Sequence, residues 1–562
     1  MHDLVIRRGT VVDGTGSPRR VADVAVENDR IVSVTGHAAR GRREIDAAGL
    51  LVTPGFVDVH THYDGQATWD PYLTPSSWHG VTTAIFGNCG VGFAPVRPGA
   101  APFLISLMEG VEDIPGSVLA EGLAFDWESF PQYLDALSAT PRIMDIGAQV
   151  PHAALRFYVM GERGADHGEA PDAGEIAQMG ELLEQALRAG ALGFSTSRTI
   201  KHRASDGRPT PSLSAHEPEL FGLAQAMNRA GRGVIEVNSD FGPGEFEIMR
   251  AAARIAARPL SVLLLQVNNA PDLWRDTREC IHAARAAGLA VTGQVGCRPI
   301  GIIMGLETST HPFSAHPAWT AMAALTPAQR AEALARDAQL RRALVEQRPD
   351  DEHTRIMEQA LARIYVLDDS YDYEPHPSQS LAARAAAQGG NPWALALQAM
   401  MAHGGKGLLT HTFENYSEGS LEVVREMLLD EATIMGLGDG GAHVCTICDC
   451  SSPTFLLTHW TRDRRRGERL PLEFLVRKQT RDSAAAYGLS DRGVLAPGFR
   501  ADINVIDPQR LRLLPPEVVY DLPAGGRRLV QRSQGYRHTF VAGIEVVCDD
   551  EHTGALPGAL IR

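Results

Sequence analysis

Between residues 56 and 438 the chain carries eight short apolar runs: 56–60, 82–87, 143–149, 191–195, 233–238, 260–266, 289–295 and 433–438. Helical patterns, such as Ile176 to Ala189 and Phe221 to Ala230, fall between them. Strand-like runs that alternate with helices predict parallel strands joined by crossovers, because only a long connection returns the chain to the same end of a sheet. The ends have a different texture. Residues 1–54 read as short strands (Leu4-Val5-Ile6, Val24-Ala25-Val26, Arg30 to Val34) separated by turn residues, and so do Ala501 to Ile506 and His538 to Gly543. Two β-rich ends around an α/β middle predict one split β domain.

Composition sets outer limits. The 562 residues can bury a large core and hold more than one domain. A net charge of −15 argues against general binding to nucleic acid or anionic membranes. No uninterrupted apolar run is long enough to span a bilayer, and Met1 to Arg7 enters a strand without a signal-peptide core. Seven scattered cysteines read as reduced thiols, so a cytoplasmic location is expected.

The first barrel-type run ends in Asp58-Val59-His60-Thr61-His62. Residues i and i+2 of a strand share a face, so His60 and His62 leave the strand end on one side, spaced to grip one metal ion. Zinc favours histidine nitrogen. The plainer alternative is a strand with two solvated or structurally bonded histidines. Cys89, in a Gly-Asn-Cys-Gly turn past the second run, is either a thiolate ligand or a small buried hydrophobe. Asp439, in Gly438-Asp439-Gly440 after the eighth run, is either a turn residue or a carboxylate at the same mouth. Cys445, Cys448 and Cys450 lack a second Cys or His pair at zinc-finger spacing and read as packed thiols. No Gly-x-Ser-x-Gly elbow and no Walker-type loop occurs.

These motifs together resemble the amidohydrolase superfamily. The matching stretches are Asp13-Gly14-Thr15-Gly16, Pro54 to His62, Gly438-Asp439-Gly440 and Gly493 to Asp507. Gly87-Asn88-Cys89-Gly90 and Gly193 to Ser197 look like the branch of N-acyl-D-amino-acid deacylases, the D-aminoacylase-like enzymes. The resemblance implies an α/β fold: a (β/α)8 TIM-type barrel at 55–493, with a small β-sandwich domain built from both chain ends, 1–54 plus 494–562. Leu408 to Thr412 is a ninth strand candidate for eight places and is read as an inserted strand, while about 312–405 is an inserted, mainly helical segment. Active sites of such barrels sit at the C-terminal ends of the strands. By resemblance, the metal ligands are His60, His62, Cys89 and Asp439, with Asp439 also the catalytic proton carrier, and the cofactor is Zn2+ or another divalent metal.

The chain departs from the branch pattern at two strands. Where the deacylases carry a metal-binding His after strands five and six, Glu236 and Gln266 stand here, and Asn268 stands near the place of a substrate-binding Lys. Glu236 is therefore a further candidate ligand. Arg298, Arg198, His443 and Asn268 are candidates for holding substrate, with His202 beside Arg198. The implied function is metal-dependent hydrolysis of a C–N amide bond, other than a peptide bond, in a small molecule. The alternatives are hydrolysis of a cyclic amide or imide and a binding or scaffold homologue without catalysis. The expected partner is a small-molecule amide, with no nucleic acid and no membrane; assembly as a homo-oligomer is left open.

Overall fold

The computed structural model describes residues 1–368 and 371–562. Its centre is an eight-stranded, all-parallel sheet whose neighbours follow chain order. The strands are β1 (Phe56–Asp58), β2 (Val81–Phe86), β3 (Asp145–Pro151), β4 (Gly193–Arg198), β5 (Val234–Ser239), β6 (Leu260–Leu263), β7 (Val291–Val295) and β8 (Thr433–Met435). All eight fall on the runs read from the sequence. The edges β1 and β8 are drawn together beyond their ends: Asp439 N donates to His60 O at 3.0 Å and His62 N donates to Gly440 O at 2.8 Å. The sheet is thereby a (β/α)8 barrel, and its closing seam runs through the motif residues. Gly438 has no room for a side chain there, since a Cβ would stand 1.9 Å from Asp58 Oδ2.

Helices pack outside the strands for ordinary reasons. Ala173–Ala189 starts at an Asp172–Glu175 capping box and ends at Gly190. It buries Met179, Leu183, Ala186 and Leu187, one face at helical spacing. Glu217–Ala230 packs beside it and stops at the left-handed Gly231.

Both chain ends meet in a nine-stranded sheet. Leu51–Pro54 pairs antiparallel with Ile503–Ile506, and Tyr536–Val541 follows. The sheet curls over one core that joins Leu4, Ile6, Val24, Val26 and Ile31 to Ile503, Val505 and Phe540, which makes the small β-sandwich domain. The Asp13 turn packs on Gly493: a Cβ at Gly14 (φ +83°) would meet Gly493 O at 2.3 Å. Two parts of 494–562 leave this sheet. The hairpin Arg512–Leu522 with Gly526–Gln534 lies on the barrel, where Ser533 Oγ donates to Trp78 O at 2.6 Å. The tail bonds to β3 and its approach, with Ile561 N donating to Ile146 O at 2.8 Å.

The insertion after β7 has its own apolar core of Met304, Phe313, Trp319, Leu334, Leu344, Ile364, Trp393 and Leu409. Helices dominate 312–405, and Leu408–Glu414, the ninth candidate, is an inserted strand between Ile300–Met304 and Ile364–Leu367.

Deleting residues 494–562 removes Ile503, Val505 and Phe540 from a core that the N-terminal strands cannot close alone. The shortened chain is expected to lose its cooperative thermal transition or its solubility. A calorimetric melt unchanged from wild type would contradict this.

Candidate active site at the barrel mouth

The segment just past β1 and the loops after β2 and β8 bring four side chains together. His60 Nε2 stands 3.5 Å from Cys89 Sγ and 3.6 Å from Asp439 Oδ1; His62 Nε2 is 3.8 Å from the same oxygen. Ligand atoms of His60, His62 and Cys89 all lie within 4.8 Å of one another. Two donors bound to one tetrahedral zinc at about 2.0–2.3 Å stand about 3.3–3.8 Å apart, the range of these three separations. His60, His62 and Cys89 are buried, and the Asp439 side chain is 9% exposed. Cys89 and Asp439 take left-handed backbone (φ 55° and 48°), an arrangement that costs a non-glycine residue roughly 1–3 kcal/mol and must be held by its surroundings. Cys89 is held by Glu236, whose Oε2 accepts its N–H at 3.0 Å.

The far sides of the histidines are fixed by groups no motif names. Gln294 on β7 donates its amide to Ser261 Oγ (2.9 Å) and to Tyr487 Oη (3.2 Å). Its oxygen therefore faces His60 Nδ1, 2.8 Å away, and accepts that proton. The Nε2 lone pair of His60 is left pointing at Cys89 and Asp439. His62 Nδ1 faces Glu112 Oε1 at 3.4 Å, and Glu112 Oε2 is 3.4 Å from His443 Nε2. Asn238 Nδ2 stands 3.6 Å from Cys89 Sγ and 3.3 Å from His202 Nε2, whose other nitrogen meets Ser197 Oγ at 2.9 Å.

Electrostatics point one way. Burial pushes the His60 pKa down to about 4 and that of His62 well below its usual value. Burial raises Glu236 to about 8 and lifts Glu112, Asp439 and the Cys89 thiol well above their ordinary values; neighbouring acids add to the last three. His62 Nδ1, both oxygens of Glu112 and Glu236 Oε1 are buried without a hydrogen-bond partner. Neutral imidazoles, a thiol and crowded carboxylates form a donor set that a divalent cation satisfies. The residues therefore fit a metal.

Not every residue expected at the mouth is there. Glu236 is, with Oε1 4.0 Å from His60 Nδ1, and His443 stands at the rim with left-handed backbone (φ 47°). Gln266 turns away: its N–H donates to Asn415 Oδ1 and its Oε1 accepts from Ser417 N. Asn268 ties the loop after β6 to the insertion through Phe413 O and Ser417 Oγ. Arg198 forms an ion pair with Glu245 on an outer helix. Arg298 is 3% exposed, bonded to Asp449, Ser451 and Cys448 O, and stacked on Tyr373 at 4.3 Å. A loop arginine cannot be assigned a direction from sequence; here burial demanded partners, and nearby acids supplied them.

Glu112 was the principal omission from the sequence reading. It ends α1 (Ala101–Glu112) and lies on the buried face of Leu104, Leu107, Met108 and Val111, at the next position of that helical spacing. An acid on an apolar helix face was the legible signal. Gln294 and Asn238 offered none beyond their strand ends.

Comparison with known proteins gives matches across most of the chain. The sequence profile described as the amidohydrolase family matches residues 43–547. The N-acyl-D-aspartate deacylase of Alcaligenes xylosoxydans xylosoxydans is 28% identical over 588 residues, covering 100% of this chain and 95% of that one. A D-aminoacylase of the same organism is 37% identical over 195 residues, a match spanning 34% of this chain and 37% of that relative's length. Among solved structures, D-aminoacylase aligns with a TM-score of 0.65 at 25% identity over 100% of both chains. The N-acyl-D-glutamate deacylase of Bordetella bronchiseptica, complexed with zinc and a phosphonate inhibitor, aligns at 0.64 and 25%, covering 100% of this chain and 99% of that one.

Protein carrying His60→Ala and His62→Ala together is expected to bind far less zinc than wild type by elemental analysis. Glu112→Gln retains only one acceptor oxygen for two histidines. It is expected to weaken zinc affinity about 10–100-fold, the usual effect of removing a partner behind a metal-binding histidine, as read by chelator competition. Unchanged affinity would remove Glu112 from the site.

Proposed function

The chain belongs to the amidohydrolase family, and from that premise we propose that it is a zinc-dependent hydrolase of small-molecule amides, with His60, His62, Cys89 and Asp439 as its metal-holding residues. Its similarity to N-acyl-D-amino-acid deacylases over the whole chain supports the C–N bond as the one broken. The observation that carries the site assignment is the convergence of His60 Nε2, His62 Nε2, Cys89 Sγ and Asp439 Oδ1 at the C-terminal mouth of the barrel. Zinc, when bound, polarises a substrate carbonyl and makes water a nucleophile near neutral pH.

The chain's own residues supply the rest. Asp439 is the base that takes the proton of the attacking water and the acid that returns it to the leaving nitrogen. Gln294 holds His60 by a hydrogen bond, so that this donor need not reorganise during turnover, and Glu112 faces His62 and His443 at 3.4 Å each. Glu236 keeps the Cys89 turn closed and stands ready as an additional carboxylate donor. Cys89 acts as ligand and not as nucleophile, because the nearest imidazole, His60, is already committed to Gln294 on one nitrogen and to the donor cluster on the other.

We also take 1–54 with 494–562 as one folding unit, set on a barrel of 55–493. Among the described residues no helix is long and apolar enough to cross a membrane. All seven cysteines are free thiols, which supports a reducing, cytoplasmic setting.

Asp439→Asn keeps the shape but loses the proton acceptor. The expected kcat falls about 10²–10⁴-fold from lost proton transfer alone, with circular dichroism unchanged; wild-type turnover would refute the role. Cys89→Ala is expected to lower zinc affinity and activity together, with excess zinc restoring part of the activity. A covalent acyl group found on Cys89 by mass spectrometry would refute the ligand role.

A further inference from the structure

A cavity of about 330 Å³ opens beside the donor cluster, over the ends of β5 and β6. Asn238 lines it and also contacts Cys89 Sγ, so one side chain touches both the cavity and the cluster. The strand register shows that it faces the barrel interior. Glu236 pairs with Ser261 and Val237 with Val262, which sets Asn238 beside Leu263 in the layer above. Glu236 and Ser261 point inward, to Cys89 and to Gln294. Side chains two residues on share their face, so Asn238 and Leu263 point inward too.

The walls are largely apolar: Leu263, Leu264, Leu265 and Val267 from β6 and its loop, Phe241 from the loop after β5, Ile200 from the loop after β4 and Leu273 from the helix after β6, with Ser239, Asn269 and Thr277 as the uncharged polar groups among them. The two charged side chains at its edge have partners. Lys201 is paired with Glu414 of the insertion, and Asp240 accepts from Thr199 Oγ1 (2.7 Å) and Ile200 N (2.8 Å). Asn268, the residue nearest the expected place for a substrate-binding lysine, is itself bonded to the insertion. A carboxylate placed in this cavity would meet no unpaired cation from its walls, whereas an uncharged alkyl or aryl group would be covered on several sides.

We propose that this cavity is the acyl subsite, and that the substrate is an amide whose acyl group is apolar and larger than acetyl. The proposal rests on the amide-hydrolase reading above. The orientation follows from Asp439. It stands at the end of β8, two strands round the barrel from β6 and three from β5. The leaving nitrogen must lie on the side of the residue that protonates it, which turns the acyl group toward β5 and β6.

The test uses zinc-loaded full-length protein and two series of equal chain lengths, acetyl, butanoyl and hexanoyl. One series is the N-acyl derivatives of a single amine, read as kcat/KM. The other is straight-chain hydroxamates, read as affinity by calorimetry. Both are expected to rise at least about tenfold from acetyl to hexanoyl, since each buried methylene favours binding severalfold. Leu265→Trp and Ile200→Trp fill the cavity from opposite walls, and each is expected to flatten both series while zinc content stays at the wild-type level. Ile200 is 64% exposed, so its substitution does not disturb a core. A flat or falling response to chain length in both wild-type series overturns the proposal, as does a slope that survives in both variants. A hydroxamate slope without turnover of any amide supports the cavity and overturns the hydrolase reading. Turnover of the acetyl compound with flat series does the reverse.

Discussion

Uncompensated buried acidity is the constraint on which this barrel mouth is built. Glu112 and Glu236 are buried, and Asp439 nearly so, around two neutral histidines and a thiol, and among the described residues no lysine or arginine pairs with them. An ionised carboxylate buried alone costs several kcal/mol. Protonation relieves that cost, and so does a cation. The first is visible in acids pushed far above their ordinary pKa; the second is what the converging Nε2, Sγ and Oδ1 atoms are arranged to accept. Elsewhere the fold does pair its buried acids with arginines, as Glu219 with Arg156 and Asp145 with Arg492. The lack of such pairing at the mouth is therefore local.

The same residues close the barrel. β1 and β8 make their contact through His60 O, His62 N, Asp439 N and Gly440 O. The backbone that seals the sheet thus also sets the separation of the two histidines from the aspartate. Gly438 completes the seam because Asp58 fills the space where its side chain would be. Stability and site geometry are coupled here, so a substitution in this motif acts on both.

The four converging side chains come from the segment past β1, the loop after β2 and the loop after β8, and none comes from β6. Gln266 and Asn268 are drawn into hydrogen bonds with Asn415, Ser417 and Phe413, at the C-terminal edge of the insertion. Residues that would face the mouth instead anchor the insertion, and an apolar cavity remains above Asn238 and Leu263.

Much of this was legible in the chain itself. Alternating periodicity fixed the eight strands, because a buried parallel strand must be an apolar run and a crossover helix must show one apolar face. The proximity of His60 and His62 was signalled by their two-residue spacing just past a strand. Cys89 and Asp439 were picked out as candidates by the family resemblance, and the fold brings both beside His60. Of the groups behind these four side chains, only Glu112 left a mark, as an acid on an apolar helix face. Gln294, Glu112 and Asn238 come from β7, from α1 and from β5, and nothing local marks a glutamine or asparagine as facing a histidine 234 residues away or a cysteine 149 residues away. The directions of Arg198 and Arg298 were equally unreadable, since each long side chain follows whichever acid burial leaves within reach. Periodicity and spacing are local properties and survive in one dimension. Which buried group satisfies which is settled only when the chain has closed on itself.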